Sequence, residues 1–184
     1  MPYITTLRHG PALPSVLPAW RHVRRNFILS NYASQVIGLG LGLGLRLGLT
    51  SASAPTQEAI DTDDGSAYYR TYENFLVYAA NGLKSDFNGH DNRHFRNVYG
   101  YVDNCWGFGD KNWFVNNTCV ANSPNGGFRS DCQKKDMQNS GNTIYNADGQ
   151  LAHTKICDPS NKVMKTPSDD AIIALGKKAI GWAA

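Results

Sequence analysis

Asparagine returns five times at the same place in a short apolar segment. The segments are Arg25-Asn26-Phe27-Ile28-Leu29, Glu73-Asn74-Phe75-Leu76-Val77, Arg96-Asn97-Val98-Tyr99-Gly100, Asn116-Asn117-Thr118-Cys119-Val120 and Gly141-Asn142-Thr143-Ile144-Tyr145. Successive asparagines Asn26, Asn74, Asn97, Asn117 and Asn142 are 48, 23, 20 and 25 residues apart. A period of roughly 20 to 25 residues signals a solenoid, in which each unit buries its apolar face only by stacking on the next. The expected fold is therefore all-β: a right-handed parallel β-helix of about four to five coils. Asn would stack between coils and bond the backbone at turns, with Val, Ile, Phe and Tyr inside.

Composition agrees. Charged residues are 18% of the 184 and there are 18 glycines, which favours turns over a helical bundle. The gap of 48 holds the run Val36–Leu49 (VIGLGLGLGLRLGL) and the tract Thr50–Glu58. Residues 36–58 read as a low-complexity insertion in the 25–166 coil region, because removing them restores the period. A degenerate coil with inward leucines is the alternative. Residues 1–24 hold Pro11, Pro14 and Pro18 and show no periodicity, so they read as disordered or loosely packed. Residues 167–184 read as a capping helix. Ser168 is its N-cap, Asp169 and Asp170 lie in its first turn, and Ile172, Leu175, Ile180 and Trp182 cover the end of the stack.

The net charge is +3, much of it from arginines in the first 46 residues. No Lys/Arg stripe with interleaved aromatics is visible along the chain, so a nucleic-acid partner is not expected. Val36–Leu49 is too short to span a bilayer, so no membrane partner is expected either. Cys105, Cys119, Cys132 and Cys157 form no CxxC pair, which argues against zinc. Their even number, with a sequon at Asn116-Asn117-Thr118, suggests disulfides and a secreted protein, although no leader is evident in the first 30 residues. Buried free thiols are the alternative.

The chemistry concentrates in residues 60–92. Asp61, Asp63 and Asp64 fall within four positions, and Asp86 follows Asp63 by 23. One coil apart, two residues stack at about 4.8 Å. Carboxyls at roughly 5 Å suit a retaining glycosidase, one attacking the sugar and the other protonating the leaving oxygen. Lys84 could hold the ionised partner. The same aspartates also suit a turn that binds backbone N–H groups, or a calcium site. His90 beside Asp91 suits a proton carrier or a hydroxyl ligand; a solvent-facing turn is the plain alternative. Tyr68, Tyr69, Tyr72, Trp106, Phe108, Trp113 and Phe114 offer flat rings for sugars or for the core, with Tyr69 and Trp106 chosen as substrate-facing.

Ile60-Asp61-Thr62-Asp63-Asp64-Gly65-Ser66, then Asn74, then Gly82-Leu83-Lys84, resembles the I-D-x-D-D-G-S … G-(I/L)-K motif of β-helical, pectin-lyase-like glycoside hydrolases of the xylosidase and fucosidase type. The resemblance covers residues 60–92 well and the Asn-bearing segments to about 150 weakly. It implies that Asp63 or Asp64 and Asp86 flank the scissile bond of a polysaccharide, with Asp61, Tyr69, Lys84, His90, Asp91 and Trp106 around it and no cofactor or metal beyond a calcium ion. The sequence departs from the family in its aspartate after Lys84, where a glutamate is often found, and in its few upstream coils. A non-catalytic carbohydrate-binding or structural fragment, and a β-helical polysaccharide lyase, are the competing expectations.

Overall fold

The computed structural model describes residues 20–29, 58–62, 65–79, 81–85, 88–106, 111–122, 136–150 and 158–182. The 36–57 part of the expected insertion lies outside them, as do Cys132 and Cys157. The strands come in tiers. The first holds β1 (Arg21–Arg24), β2 (Phe27–Leu29) and β3 (Glu58–Asp61). The second holds β4 (Tyr69–Tyr72), β5 (Phe75–Val77) and β6 (Asn81–Lys84). The third holds β7 (Arg93–Phe95), β8 (Val98–Val102) and β9 (Asn104–Trp106). Next come β10 (Trp113–Val115) and β11 (Thr118–Ala121), then β12 (Gln138–Ser140) and β13 (Thr143–Asn146). Strand β14 (Lys162–Lys165) and helix α1 (Asp169–Ile180) end the chain's described part.

Each tier adds one strand to each of its sheets, and every pairing is parallel. The sheets run β1-β4-β7-β10-β12, β14-β13-β11-β8-β5-β2 and β3-β6-β9. The protein is thus mostly β, with one helix among the described residues. Phe27 pairs with Phe75, so the gap of 48 is crossed in a single tier step. The 1–24 boundary is corrected by β1. Arg21–Arg24 pair with Tyr69–Tyr72, and the guanidinium groups of Arg21 and Arg24 each lie 5.3 Å over a tyrosine ring, of Tyr69 and Tyr72 respectively. These contacts order the segment where the sequence shows no periodicity.

The strands alternate inward and outward, as a pleat requires. Leu76, Tyr99, Cys119 and Ile144 are fully buried in one inward row, and they join Phe114, Val102 and Cys105 in the core. Cys105 and Cys119 form a disulfide with Cα atoms 5.7 Å apart.

The turns explain the asparagines. Arg25, Glu73, Arg96, Asn116 and Gly141 all adopt left-handed backbone, with φ from 55° to 66°. Each precedes a ladder asparagine. This turn aims the amide of that asparagine along the stack. Backbone N–H groups of Asn26, Asn74, Asn97, Asn117 and Asn142 donate to Oδ1 of the next asparagine at 2.8 to 3.2 Å. Asn161 ends the ladder.

Helix α1 begins with Ser168 accepting from the Ala171 N–H and ends at left-handed Gly181. It lies on the outward face of β5 and β8. Phe75, Val77 and Val98 pack with Ile180, Leu175 and Ala179 there. It therefore covers a sheet face, whereas the sequence suggested the end of the stack. The reason lies in the outward apolar residues of β5 and β8, which alternation alone would leave in water. Among the described residues no helix is long and apolar enough to cross a membrane.

Candidate functional site

The 62–66 and 85–89 segments are tied down at both feet. Asn92, fully buried, donates from Nδ2 to the carbonyl oxygens of Ser66 (3.0 Å) and Thr62 (3.4 Å) and to Oγ of Ser85 (3.2 Å). Ser85 Oγ in turn donates to the Thr62 carbonyl at 3.3 Å. Asn112 Nδ2 donates to the carbonyls of Ser85 (3.2 Å) and Gly89 (3.1 Å). Tyr69 N–H donates to Asn92 Oδ1, and Asn92 N–H to Asn112 Oδ1. Asn92 and Asn112 thus form a second, shorter ladder. They again follow left-handed residues, Asp91 and Lys111. The sequence reading missed it, although the gap of 20 between them repeats that between Asn97 and Asn117.

Register brackets these segments on both sides. Asp61 stands opposite Lys84, and Ala67 bridges His90. Both pairs are 23 residues apart. Asp63, Asp64 and Asp86 lie outside the described residues. For Asp61, Lys84 and Trp106 only the backbone is described; Trp106 pairs with Leu83.

The remaining expected site residues are seen in full. His90 Nδ1 and Asp91 Oδ2 are 2.7 Å apart, with side chains 42% and 38% exposed. The Tyr68 ring meets His90 edge-on at 6.0 Å and Trp20 at 5.8 Å. Tyr69 is half-buried, and its hydroxyl accepts from Arg21 at 3.3 Å.

An outward row of arginines and aromatics adjoins this dyad, and the sequence gave no hint of it. Arg70 and Arg93 are register partners. The Trp20 ring lies under both guanidinium groups at 4.4 and 4.6 Å, and Trp113 lies 4.0 Å from Arg93. Beside them Tyr72 and Phe95 stack almost parallel at 4.7 Å. An Arg stripe with interleaved aromatics therefore exists in space, although none exists along the chain. Its members come from β4, β7 and β10 and from Trp20, one or two per tier.

Glu73 sits at the next turn, held by Arg25 at 3.2 Å and Arg96 at 2.9 Å. Desolvation raises its pKa, but the hydrogen bonds and charges of these arginines outweigh that and leave it below the usual glutamate value. On the inward face, His94 is fully buried. It stacks on Phe114 at 5.5 Å, and its Nε2 lies 3.4 Å from Thr62 Oγ1. Burial lowers its pKa to about 3, so it is neutral and unavailable to substrate. Among the described residues no group of three His, Cys, Asp or Glu gathers as a metal site.

Comparison with protein families, curated proteins and solved structures returns no match.

Proposed function

We propose that the chain is a carbohydrate-active, right-handed parallel β-helix domain of glycoside-hydrolase type, with Asp63 or Asp64 and Asp86 as the carboxylate pair. The observation that carries the reading is the common offset of 23 on either side of them: Asp61 opposite Lys84, and Ala67 opposite His90. Extending that offset sets Asp63 beside Asp86 on neighbouring tiers. Right-handedness follows from the strong preference of parallel crossovers for that hand.

In this reading the carboxylates flank the glycosidic oxygen. One attacks the anomeric carbon, the other donates its proton to the leaving oxygen, and water then releases the enzyme-bound sugar. The spacing of one strand, about 4.8 Å, suits this double displacement better than inversion, which needs room for a water. Asn92 and Asn112 support the reading, since a carboxylate pair must be held rigidly to act. His90 and Asp91 would contact sugar hydroxyls at the rim, and Tyr69, Lys84 and Trp106 complete the surroundings.

The test is release of reducing ends from a panel of plant, algal and microbial polysaccharides. Asp63→Asn and Asp86→Asn should each remove the activity seen with the unaltered chain. Full activity in both variants would place the chemistry elsewhere.

A further inference from the structure

We propose that the outward face of β4, β7 and β10 is a binding shelf for the anionic groups of an acidic polysaccharide, with Arg70 and Arg93 as its paired ligands. The proposal rests on the carbohydrate reading above and names its substrate class.

Arg70 and Arg93 are directly opposite each other on adjacent strands. Like charges so placed repel, and among the described residues neither has a carboxylate in ion-pair contact. Nearby the arrangement is different: Arg25 and Arg96 both engage Glu73. The Arg70 Nε is buried with no hydrogen-bond partner. The two guanidinium groups are instead held by rings, with Trp20 under both and Trp113 against Arg93. Stacking occupies the faces of a guanidinium and leaves its N–H edges to bind a carboxylate or sulfate in the plane. The charges are thus pre-positioned and unneutralised, which is the state an anion site needs before its ligand arrives.

The spacing favours a glycan. Adjacent strands are about 4.8 Å apart, close to the advance of one sugar along an extended chain, so consecutive charged sugars could meet consecutive arginines. The flanking rings of Trp20 and Trp113 suit sugar faces. A nucleic acid draws its affinity from many neutralised phosphates, and a chain of net charge +3 offers few cations for that. The shelf also leads toward the proposed carboxylates, from Trp20 to Tyr68 to His90 by edge-on ring contacts.

Binding of the full chain to dextran sulfate, polygalacturonate, neutral dextran and poly-dT tests this by calorimetry at low and high salt. One of the two acidic polysaccharides should bind and neutral dextran should not, with affinity falling as salt rises. Preference for dextran sulfate assigns the shelf to sulfate esters, and preference for polygalacturonate to uronates. Arg70→Gln and Arg93→Gln should each weaken binding roughly tenfold. Arg93→Lys, which keeps the charge and loses the planar stack, should weaken it less and serves as the folded control. Equal binding of neutral and acidic polymers, unchanged binding in both Gln variants, or tighter binding of poly-dT overturns the proposal. Acidic-polymer binding without hydrolysis of any polysaccharide leaves the shelf and removes the hydrolase reading. Hydrolysis of a neutral polysaccharide without acidic-polymer binding does the reverse.

Discussion

Asn92 holds Ser66 from beneath: its side-chain amide donates to the Ser66 carbonyl oxygen at 3.0 Å, across 26 residues of chain. The same amide reaches Thr62 and Ser85, so one buried side chain joins the segment after β3 to the segment after β6. A connection between tiers is thereby made by a polar group in a place where water cannot substitute. Asn92→Ala should cost roughly 2–4 kcal/mol, since it strands the Tyr69 N–H and the Ser66 carbonyl together. Asn92→Asp keeps the acceptor but loses both donor bonds, and buries a charge, so it should be no milder. Urea unfolding measures both. A loss below about 0.5 kcal/mol, typical of an ordinary surface change, would mean the amide bonds carry no net stability.

Gly176 gives a second prediction whose sign runs against helix propensity. In an exposed helix, Gly→Ala stabilises by up to about 1 kcal/mol. Here a β-carbon at Gly176 would lie 2.3 Å from the ring of Phe75. The helix rests on β5 at this point, so either α1 or the ring must move. Gly176→Ala should destabilise by roughly 1–3 kcal/mol, and Gly176→Ala with Phe75→Leu should recover part of the loss. A more stable single variant in urea titration would place α1 away from Phe75.

Cys105 and Cys119 close a loop of 14 residues between two tiers. A loop of about this length restricts the unfolded chain by about 3 kcal/mol. Cys105→Ala with Cys119→Ala should therefore lower the urea midpoint without changing the near-native circular dichroism. Thiol titration of the unfolded, unreduced chain should find neither of these two cysteines reactive. Two reactive thiols mapped to Cys105 and Cys119 would contradict the bond.

The tier period was legible because Asn must recur wherever a left-handed turn needs a buried amide, and that need repeats with the backbone. The C-terminal helix was legible too, because Ser168, Asp169 and Asp170 act within one turn of chain. Its resting place was not, since Phe75, Val77 and Val98 become one outward patch only after pairing. The Arg70–Arg93 shelf was hidden for the same reason. Each tier supplies a single arginine, and register alone makes them neighbours. Among the aromatics, sequence could not separate Trp113, half-buried and outward, from the adjacent Phe114, fully inward. The two differ only by strand phase, which a one-residue slip would exchange.

His94 should give the protein a pH dependence of its own. Its pKa is lowered from 6.5 to about 3 by burial, so the unfolded chain accepts a proton below 6.5 that the folded chain refuses. Its contribution is therefore complete above pH 6.5 and declines as pH falls toward 3, by an amount on the order of a few kcal/mol. Glu73 and Asp158, both held below their usual values, lose stability in the same direction, so the total slope alone does not identify the histidine. The difference between the unaltered chain and His94→Gln does. Unfolding free energies measured from pH 7 to pH 4 should converge as pH falls, because the variant lacks the group that titrates. Curves that stay parallel would show that His94 is protonated alike in the folded and unfolded states, and hence that its ring is not sealed between Thr62 and Phe114.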